Sequence, residues 1–94
     1  MALEYGVDLK IIVLKLLTKE SMHGYKIAIE TEKIFSKKPS NGALNPLFTK
    51  LEKEGLIQSF ETVEKGRYKK MFKITANGKK NLIETVNNIK KLLK

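Results

Sequence analysis

Residues 42–57 read GALNPLFTKLEKEGLI and carry the clearest helical pattern of the chain. Apolar side chains recur along it at the three- and four-residue spacing of one helical face: Leu44, Leu47, Phe48 and Leu51. The opposite face carries small, polar and basic residues: Gly42, Asn45, Pro46, Thr49, Lys50 and Lys53. Gly55 follows at a position where helices commonly end in a left-handed residue. The stretch therefore predicts an amphipathic helix that runs to about Glu54 and buries one face.

The start of this helix has two solutions. Ser40 or Asn41 can cap it, but Pro46 then lies inside the second turn, where proline removes a backbone hydrogen bond. Asn45 as the cap, with Pro46 at the first helical position, satisfies the local rules better. By these rules alone, the shorter helix is the prediction.

Two more helices are predicted before it. Residues 3–17 form a helix with two apolar faces, one made of Leu9, Ile12, Val13 and Leu16 and the other of Val7, Ile11 and Leu14. A helix that is apolar all round is buried on both sides. A second subunit against one face or a central place in the chain's own core would each explain this. A second helix is predicted from Met22 to about Phe35, with Ser21 as N-cap and a buried stripe of Tyr25, Ala28 and Ile29.

Two strands and a last helix complete the chain. The strands are predicted over residues 56–64 and 67–75, with Lys65-Gly66 as the hairpin tip. Thr75 is the predicted cap of a helix that runs from Ala76 to about Leu93. This helix has apolar residues at a heptad-like spacing, which are read as core or as a dimer seam: Leu82, Val86, Ile89 and Leu93.

Charge is concentrated at one end of the chain. Lys plus Arg number 19 against 10 Asp plus Glu, which leaves a net charge of +9. All of this excess lies in residues 65–94, which hold nine Lys and Arg67 but only Glu84 as an acidic residue. A small basic domain favours a polyanionic partner, usually nucleic acid. A solvated, lysine-rich surface is the simpler alternative.

Composition also argues against several classes of protein. The chain has no Cys and one His, so thiol chemistry and a cysteine- or histidine-rich metal site are not expected. No carboxylate pair, phosphate-binding glycine loop or nucleophile constellation is visible, and His23 is interpreted as structural. We therefore expect no enzyme activity, no metal and no cofactor. The apolar runs are too short for a membrane span, and a cytoplasmic location without membrane contact is expected.

Three helices, a hairpin and a helix, in this order, are typical of a winged helix-turn-helix, in which the third helix enters the DNA major groove and the hairpin is the wing. Three segments sharpen this interpretation. Residues 21–27 (SMHGYKI), residues 42–57, and residues 69–75 (KKMFKIT) followed by Gly78 resemble successive motifs of the PadR-family transcriptional regulators. The resemblance as a whole covers about residues 9 to 82.

The resemblance implies an α+β, mostly helical fold. It places a winged helix-turn-helix over residues 1–75 and a dimerisation helix over residues 76–94. The dimer is implied to form through this last helix and the N-terminal helix. It also implies a homodimeric regulator of double-stranded DNA, of repressor type, on a near-palindromic operator. The family commonly has proline within its recognition helix, which favours the longer helix from about Ser40. A small-molecule effector is possible, but this chain lacks the tryptophans between which some short members bind aromatic drugs.

Candidate site residues follow from the motifs and the charge. The recognition-helix candidates are Ser40, Asn41, Gly42, Asn45, Thr49 and Lys50. The wing and phosphate candidates are Lys37, Lys38, Lys65, Arg67, Lys69 and Lys70. The dimer candidates are Val7, Ile11, Leu14, Leu82, Val86, Ile89 and Leu93. Asn45 replaces the family's usual tyrosine, and asparagine can pair with adenine through two hydrogen bonds. A winged-helix protein-interaction module without a DNA role is the alternative function.

Overall fold

The computed structural model describes residues 5–93, with side chains from Leu9 onward. Its elements in chain order are α1 (Tyr5–Lys19), β1 (Met22–His23), α2 (Gly24–Phe35), α3 (Asn41–Lys53), β2 (Ile57–Glu64), β3 (Arg67–Ile74) and α4 (Ala76–Leu92). The strands form an antiparallel sheet in the order β1-β3-β2. Four helices around a small sheet confirm the predicted mostly helical α+β class, and the β2–β3 hairpin is called the wing below.

The start of α2 differs from the prediction. Met22 and His23 form a short strand that pairs with Phe72 and Met71 of β3, so the helix begins two residues later, at Gly24. The N-cap is His23, whose Nδ1 accepts a hydrogen bond from the Lys26 amide at 3.2 Å. Ser21 was therefore the wrong cap. Local rules missed the strand because its partner lies about 50 residues further along the chain.

The longer of the two solutions for α3 is correct. Ser40 is the N-cap, and its Oγ accepts a hydrogen bond from the Ala43 amide at 3.2 Å. Pro46 lies inside the helix, as the family resemblance implied and the local rule did not. Leu44, Phe48 and Leu51 are buried by the core, and this burial outweighs the missing proline hydrogen bond.

One hydrophobic core holds the helices and the sheet together. In α1 each predicted face contributes to the core of a single chain, since Val13 and Leu14 are each 0 % exposed. The central-core interpretation is thus correct for Leu14, which is not available to a second subunit, whereas Ile11 is only partly covered. Leu82 of α4 joins the same core at 7 % exposure. The last helix is therefore anchored at its N-terminal half.

Two hydrogen bonds and a close backbone contact hold the start of α4 against the base of the wing. The Thr75 hydroxyl donates to the Gly55 carbonyl at 2.6 Å and accepts from the Gly78 amide at 3.0 Å, which confirms it as the cap of α4. Gly78 packs directly on the carbonyl of Leu56, where a Cβ would collide with that oxygen and with Ile74. The glycine of the third motif is thus required by the close approach of backbone to backbone.

Candidate nucleic-acid interface

The outward face of α3 is polar and uncovered. Gly42, Asn45, Thr49 and Lys50 are all exposed, while the opposite face of the helix is fixed in the core. The Thr49 hydroxyl donates to the carbonyl of Asn45 at 3.1 Å, so its hydrogen is already used within the helix. No described residue hydrogen-bonds the side-chain amide of Asn45. Asn45 therefore offers a free donor and a free acceptor at the centre of this face.

A cleft of about 470 Å³ lies beside the start of α3, where α2 and α3 meet. Tyr25, Lys38, Asn41 and Asn45 are among its lining residues. Lys38 Nζ lies 4.5 Å from the centre of the Tyr25 ring, which is a cation–π contact. Lys38 and Asn41 are thus brought next to Asn45 as expected. Ser40 also lines the cleft, but its Oγ is held by the cap of α3.

Tyr25 is a surface residue that sequence reasoning placed in the core. It is 65 % exposed, so its assignment to the buried stripe of α2 was wrong. The buried residues of α2 are Ile27, Ala28 and Thr31. The later start of the helix explains the error, because it puts Tyr25 in the first turn, beside Lys38. The exposed tyrosine therefore belongs with the polar surface around α3.

The wing extends this surface on the other side of α3. Its tip is the two-residue turn Lys65-Gly66, and both residues have positive φ, 52° and 78°. Such a turn matches the twist of the two strands. Lys65 and Arg67 are exposed and form no ion pair with any described residue, whereas Lys69 Nζ lies 3.3 Å from Glu64 Oε2. The tip of the wing therefore carries two exposed cations without an ion pair to the described residues.

A second cleft, of about 410 Å³, separates α3 from the wing. Asn45, Thr49, Glu52 and Lys70 line it, so Asn45 borders both clefts. The carboxylate of Glu52 contacts both strands of the wing: Oε2 accepts from Ser59 Oγ at 3.2 Å, and Oε1 lies 3.9 Å from Lys70 Nζ. Sequence reasoning missed Glu52. Nothing local in the sequence marks it, because Ser59 and Lys70 contact Glu52 only when the wing is folded against α3.

An apolar groove lies between α1 and α4. It has a volume of about 370 Å³ and is lined by Ile11, Lys15, Leu82, Ile83, Val86 and Asn87. Ile83, next to the predicted seam, is 61 % exposed. Val86 and Ile89 are half-buried and Leu93 is exposed. The side chain of Val7 lies outside the described residues. Of the predicted dimer residues, the structure thus brings Ile11, Leu82 and Val86 together.

Two carboxylate–lysine pairs shift pKa values on the exposed side of α2. The hydrogen bond from Lys26 Nζ to Glu20, 2.7 Å long, raises the pKa of Lys26. The hydrogen bond from Lys33 lowers the pKa of Glu30. Both shifts favour the charged forms, which is the opposite of what proton transfer near neutral pH requires.

Two other kinds of site were sought in the described part of the chain. No helix between residues 5 and 93 is long and apolar enough to cross a bilayer. Over the same range, no group of three or more histidine, aspartate or glutamate side chains is placed to hold a metal ion.

A match to the transcriptional regulator PadR-like family covers residues 13–84, which include α2, α3, the wing and the first half of α4. The chain belongs to this family. The match extends over the surface made by α3 and the wing, and it agrees with the resemblance seen in the sequence. No curated protein sequence is significantly similar to the chain.

Solved structures of related proteins share the fold. Bacillus subtilis PadR in complex with operator DNA is 28 % identical with a TM-score of 0.75, over 84 % of this chain and 45 % of that one. A PadR family transcription regulator from Clostridium difficile is 24 % identical (TM-score 0.77), over 90 % and 93 % of the two chains. A transcriptional regulator from Clostridium thermocellum is 23 % identical (TM-score 0.82), over 98 % and 95 %. The last two likenesses concern the fold alone.

Proposed function

We propose that this PadR-like chain is a transcriptional regulator, of repressor type, that binds double-stranded DNA through α3 and the wing. The observation that carries the proposal is the uncovered polar face of α3, which presents Asn45 between two clefts with cations on both sides. A helix of this kind fits the major groove, where base edges carry a distinct pattern of donors and acceptors. The structure of Bacillus subtilis PadR with operator DNA supports the same use of this fold.

Base readout is assigned to the middle of α3. Asn45 has both a donor and an acceptor free, which is the combination that pairs with adenine N6 and N7. Thr49 has given its hydroxyl hydrogen to the helix, so its methyl group is the part that would contact a thymine methyl. Lys50, Asn41 and Gly42 border these two residues, and a backbone without a side chain at Gly42 allows close approach to a phosphate.

Phosphate contacts are assigned to the cations on either side of α3. Lys37, Lys38 and the Tyr25 hydroxyl lie at its start, and Lys65 and Arg67 lie at the wing tip. Lys69 and Lys70 are engaged with Glu64 and Glu52, so they would exchange a carboxylate for a phosphate on binding. Contacts of this kind fix the position of the protein on the duplex and make binding depend on salt.

A homodimer is proposed through the groove between α1 and α4. A second copy of α4 would bury Ile83 and the half-covered Ile11 and Val86. The two-fold axis would then present two recognition helices to half-sites about one helical turn apart on a near-palindromic operator. Ile83→Glu is expected to convert a dimer to a monomer in sedimentation experiments, while Ile34→Glu, at a similarly exposed site on α2, leaves it dimeric. A dimer that persists in Ile83→Glu contradicts this arrangement.

Selection of duplexes from a random pool tests the function as a whole. The wild-type chain should enrich a defined near-palindromic sequence, and its binding should weaken steeply as salt is raised. Failure to enrich any sequence, or affinity that does not change with salt, overturns the proposal. The protein-interaction alternative predicts that reversing the charges of Lys69 and Lys70 together leaves function intact, whereas DNA binding predicts loss.

A further inference from the structure

The wing carries an apolar pair that folding of the chain does not explain. Val63 and Tyr68 are cross-strand partners one step behind the Glu64–Arg67 pair that flanks the turn. Their side chains are 62 % and 79 % exposed, so most of both surfaces faces water. Aromatic and β-branched partners of this kind stabilise a hairpin only modestly. The stability of the wing therefore does not account for so large an exposed ring.

The pair lies on the side of the wing that faces α3. Side chains alternate along a strand, so Tyr68, Lys70 and Phe72 share one face of β3. Phe72 stacks on Phe48 of α3 with ring centres 4.2 Å apart, and Lys70 reaches Glu52 of the same helix. Tyr68 is two residues beyond Lys70, about 7 Å further out along the strand. The apolar pair thus extends the inner wall of the cleft past the end of its contact with α3.

The charged residues around Val63 and Tyr68 indicate the chemistry of the partner that would cover them. Lys65 and Arg67 flank it at the tip without an ion-pair partner in the described chain, and Glu64 is neutralised by Lys69. Glu61, behind the pair, lies opposite Lys70 in the register. An occupant must therefore be anionic and also offer apolar surface. The minor groove of DNA combines these properties, because deoxyribose rings form its walls and phosphates line its edges.

We propose that Tyr68 and Val63 form an apolar wedge that packs on the deoxyribose wall of the minor groove when α3 occupies the adjacent major groove. This inference rests on the proposed DNA-binding function and adds an uncharged contact to it. The wedge contributes affinity that salt does not screen, in contrast to Lys65 and Arg67. Tyr68 supplies most of the surface, and Val63 supports one side of its ring across the strand pair.

Binding measured over a range of salt concentrations tests the wedge. The probe is a fluorescein-labelled duplex selected from the random pool by the wild-type chain. Tyr68→Thr keeps a residue that favours strands. It is expected to weaken binding about tenfold, and this factor should be the same at every salt concentration. Tyr68→Phe should bind within about twofold of wild type. Arg67→Gln should instead reduce the slope of log affinity against log salt by about one.

Footprinting locates the contact. The wild-type chain should protect deoxyriboses of the minor groove from hydroxyl radicals, and Tyr68→Thr should lose this protection while guanine N7 in the major groove stays protected from methylation. Ile34→Ala, at a 57 % exposed apolar site on α2, is the matched control and should change neither measurement. Circular dichroism and melting temperature establish that the variants are folded.

Distinct outcomes refute the two proposals. If the wild-type chain binds no duplex, the proposed function fails. If the wild-type chain binds and the folded Tyr68→Thr variant matches it in affinity and footprint, the wedge alone is overturned. A loss in Tyr68→Phe equal to that in Tyr68→Thr also overturns it, because the hydroxyl and not the apolar ring would then be responsible.

Discussion

The recognition helix and the wing are held in opposite ways. α3 is anchored by the buried Leu44, Phe48 and Leu51 of its inner face, and its outer face is polar, with lysines only in the last turn. The wing is anchored only at its base, where Ile57 and Phe72 are buried, and its outer half is exposed and cationic. α3, the proposed reading element, is thus held by the core, and the wing, the proposed clamp, extends beyond its anchored base.

The two kinds of anchoring suit two different tasks in DNA recognition. Base readout requires donors and acceptors held in one geometry, which a core-packed helix provides. Phosphate contacts tolerate variation in position, because the attraction between charges falls slowly with distance. Glu52 joins the two regions, since its carboxylate extends from α3 to Ser59 and Lys70 of the wing. Substitutions in the two regions should therefore produce different kinds of defect.

The largest effect is expected from Leu51→Ala, which removes a fully buried side chain from the inner face of α3. The lost burial and the remaining cavity should lower the free energy of unfolding by about 3 kcal/mol, measured by urea denaturation. Val63→Thr on the exposed wing is the control and should change it by less than about 0.5 kcal/mol. Equal losses in the two variants would contradict the contrast in anchoring.

Asn45→Ala should have the next largest effect, on selectivity and not on folding. If Asn45 pairs with an adenine, its removal lowers discrimination at that base pair by about 1–3 kcal/mol. The dependence of binding on salt should stay the same, because no charge is removed. Competition between the selected duplex and single-base variants of it measures the change. Undiminished discrimination at every position would exclude Asn45 from base readout.

Glu52→Gln should have the smallest effect, and in the opposite direction. Glutamine still accepts the hydrogen bond from Ser59, but it no longer attracts Lys70, which becomes free to contact a phosphate. Affinity at low salt should rise about two- to threefold and the salt slope should steepen. Discrimination should fall as the wing is held less firmly against α3. Weaker binding with unchanged discrimination would show that the ion pair does not hold Lys70 back from DNA.

Much of the fold follows from local patterns. The apolar spacing of α3, the left-handed Gly55, the Lys65-Gly66 turn and the Thr75 cap are all found where the sequence predicts them. These features depend on residues within one or two turns of each other. The exposed face of α3 could also be predicted, because it lies opposite the apolar stripe of the helix.

Other features required contacts between distant segments. The strand at Met22 and His23 exists because β3 lies beside it, and its formation delays α2 and moves Tyr25 from the core to the surface. Pro46 is tolerated within α3 because core burial outweighs one missing hydrogen bond. The role of Glu52 was not visible either, since Ser59 and Lys70 approach it only when the wing folds against the helix.

The four helices, the hairpin and the polar face of α3 could all be predicted from the sequence, because hydrophobic period and capping act over a few residues, and the three motifs indicated the family. Which apolar surfaces remain uncovered depends on how the elements pack together. Leu14 is buried within its own chain while Ile83, Tyr68 and Val63 stay exposed, although all four are apolar residues in regular elements. The physical reason is that burial is a property of the packed molecule, and a periodic pattern does not specify which faces the neighbouring elements reach.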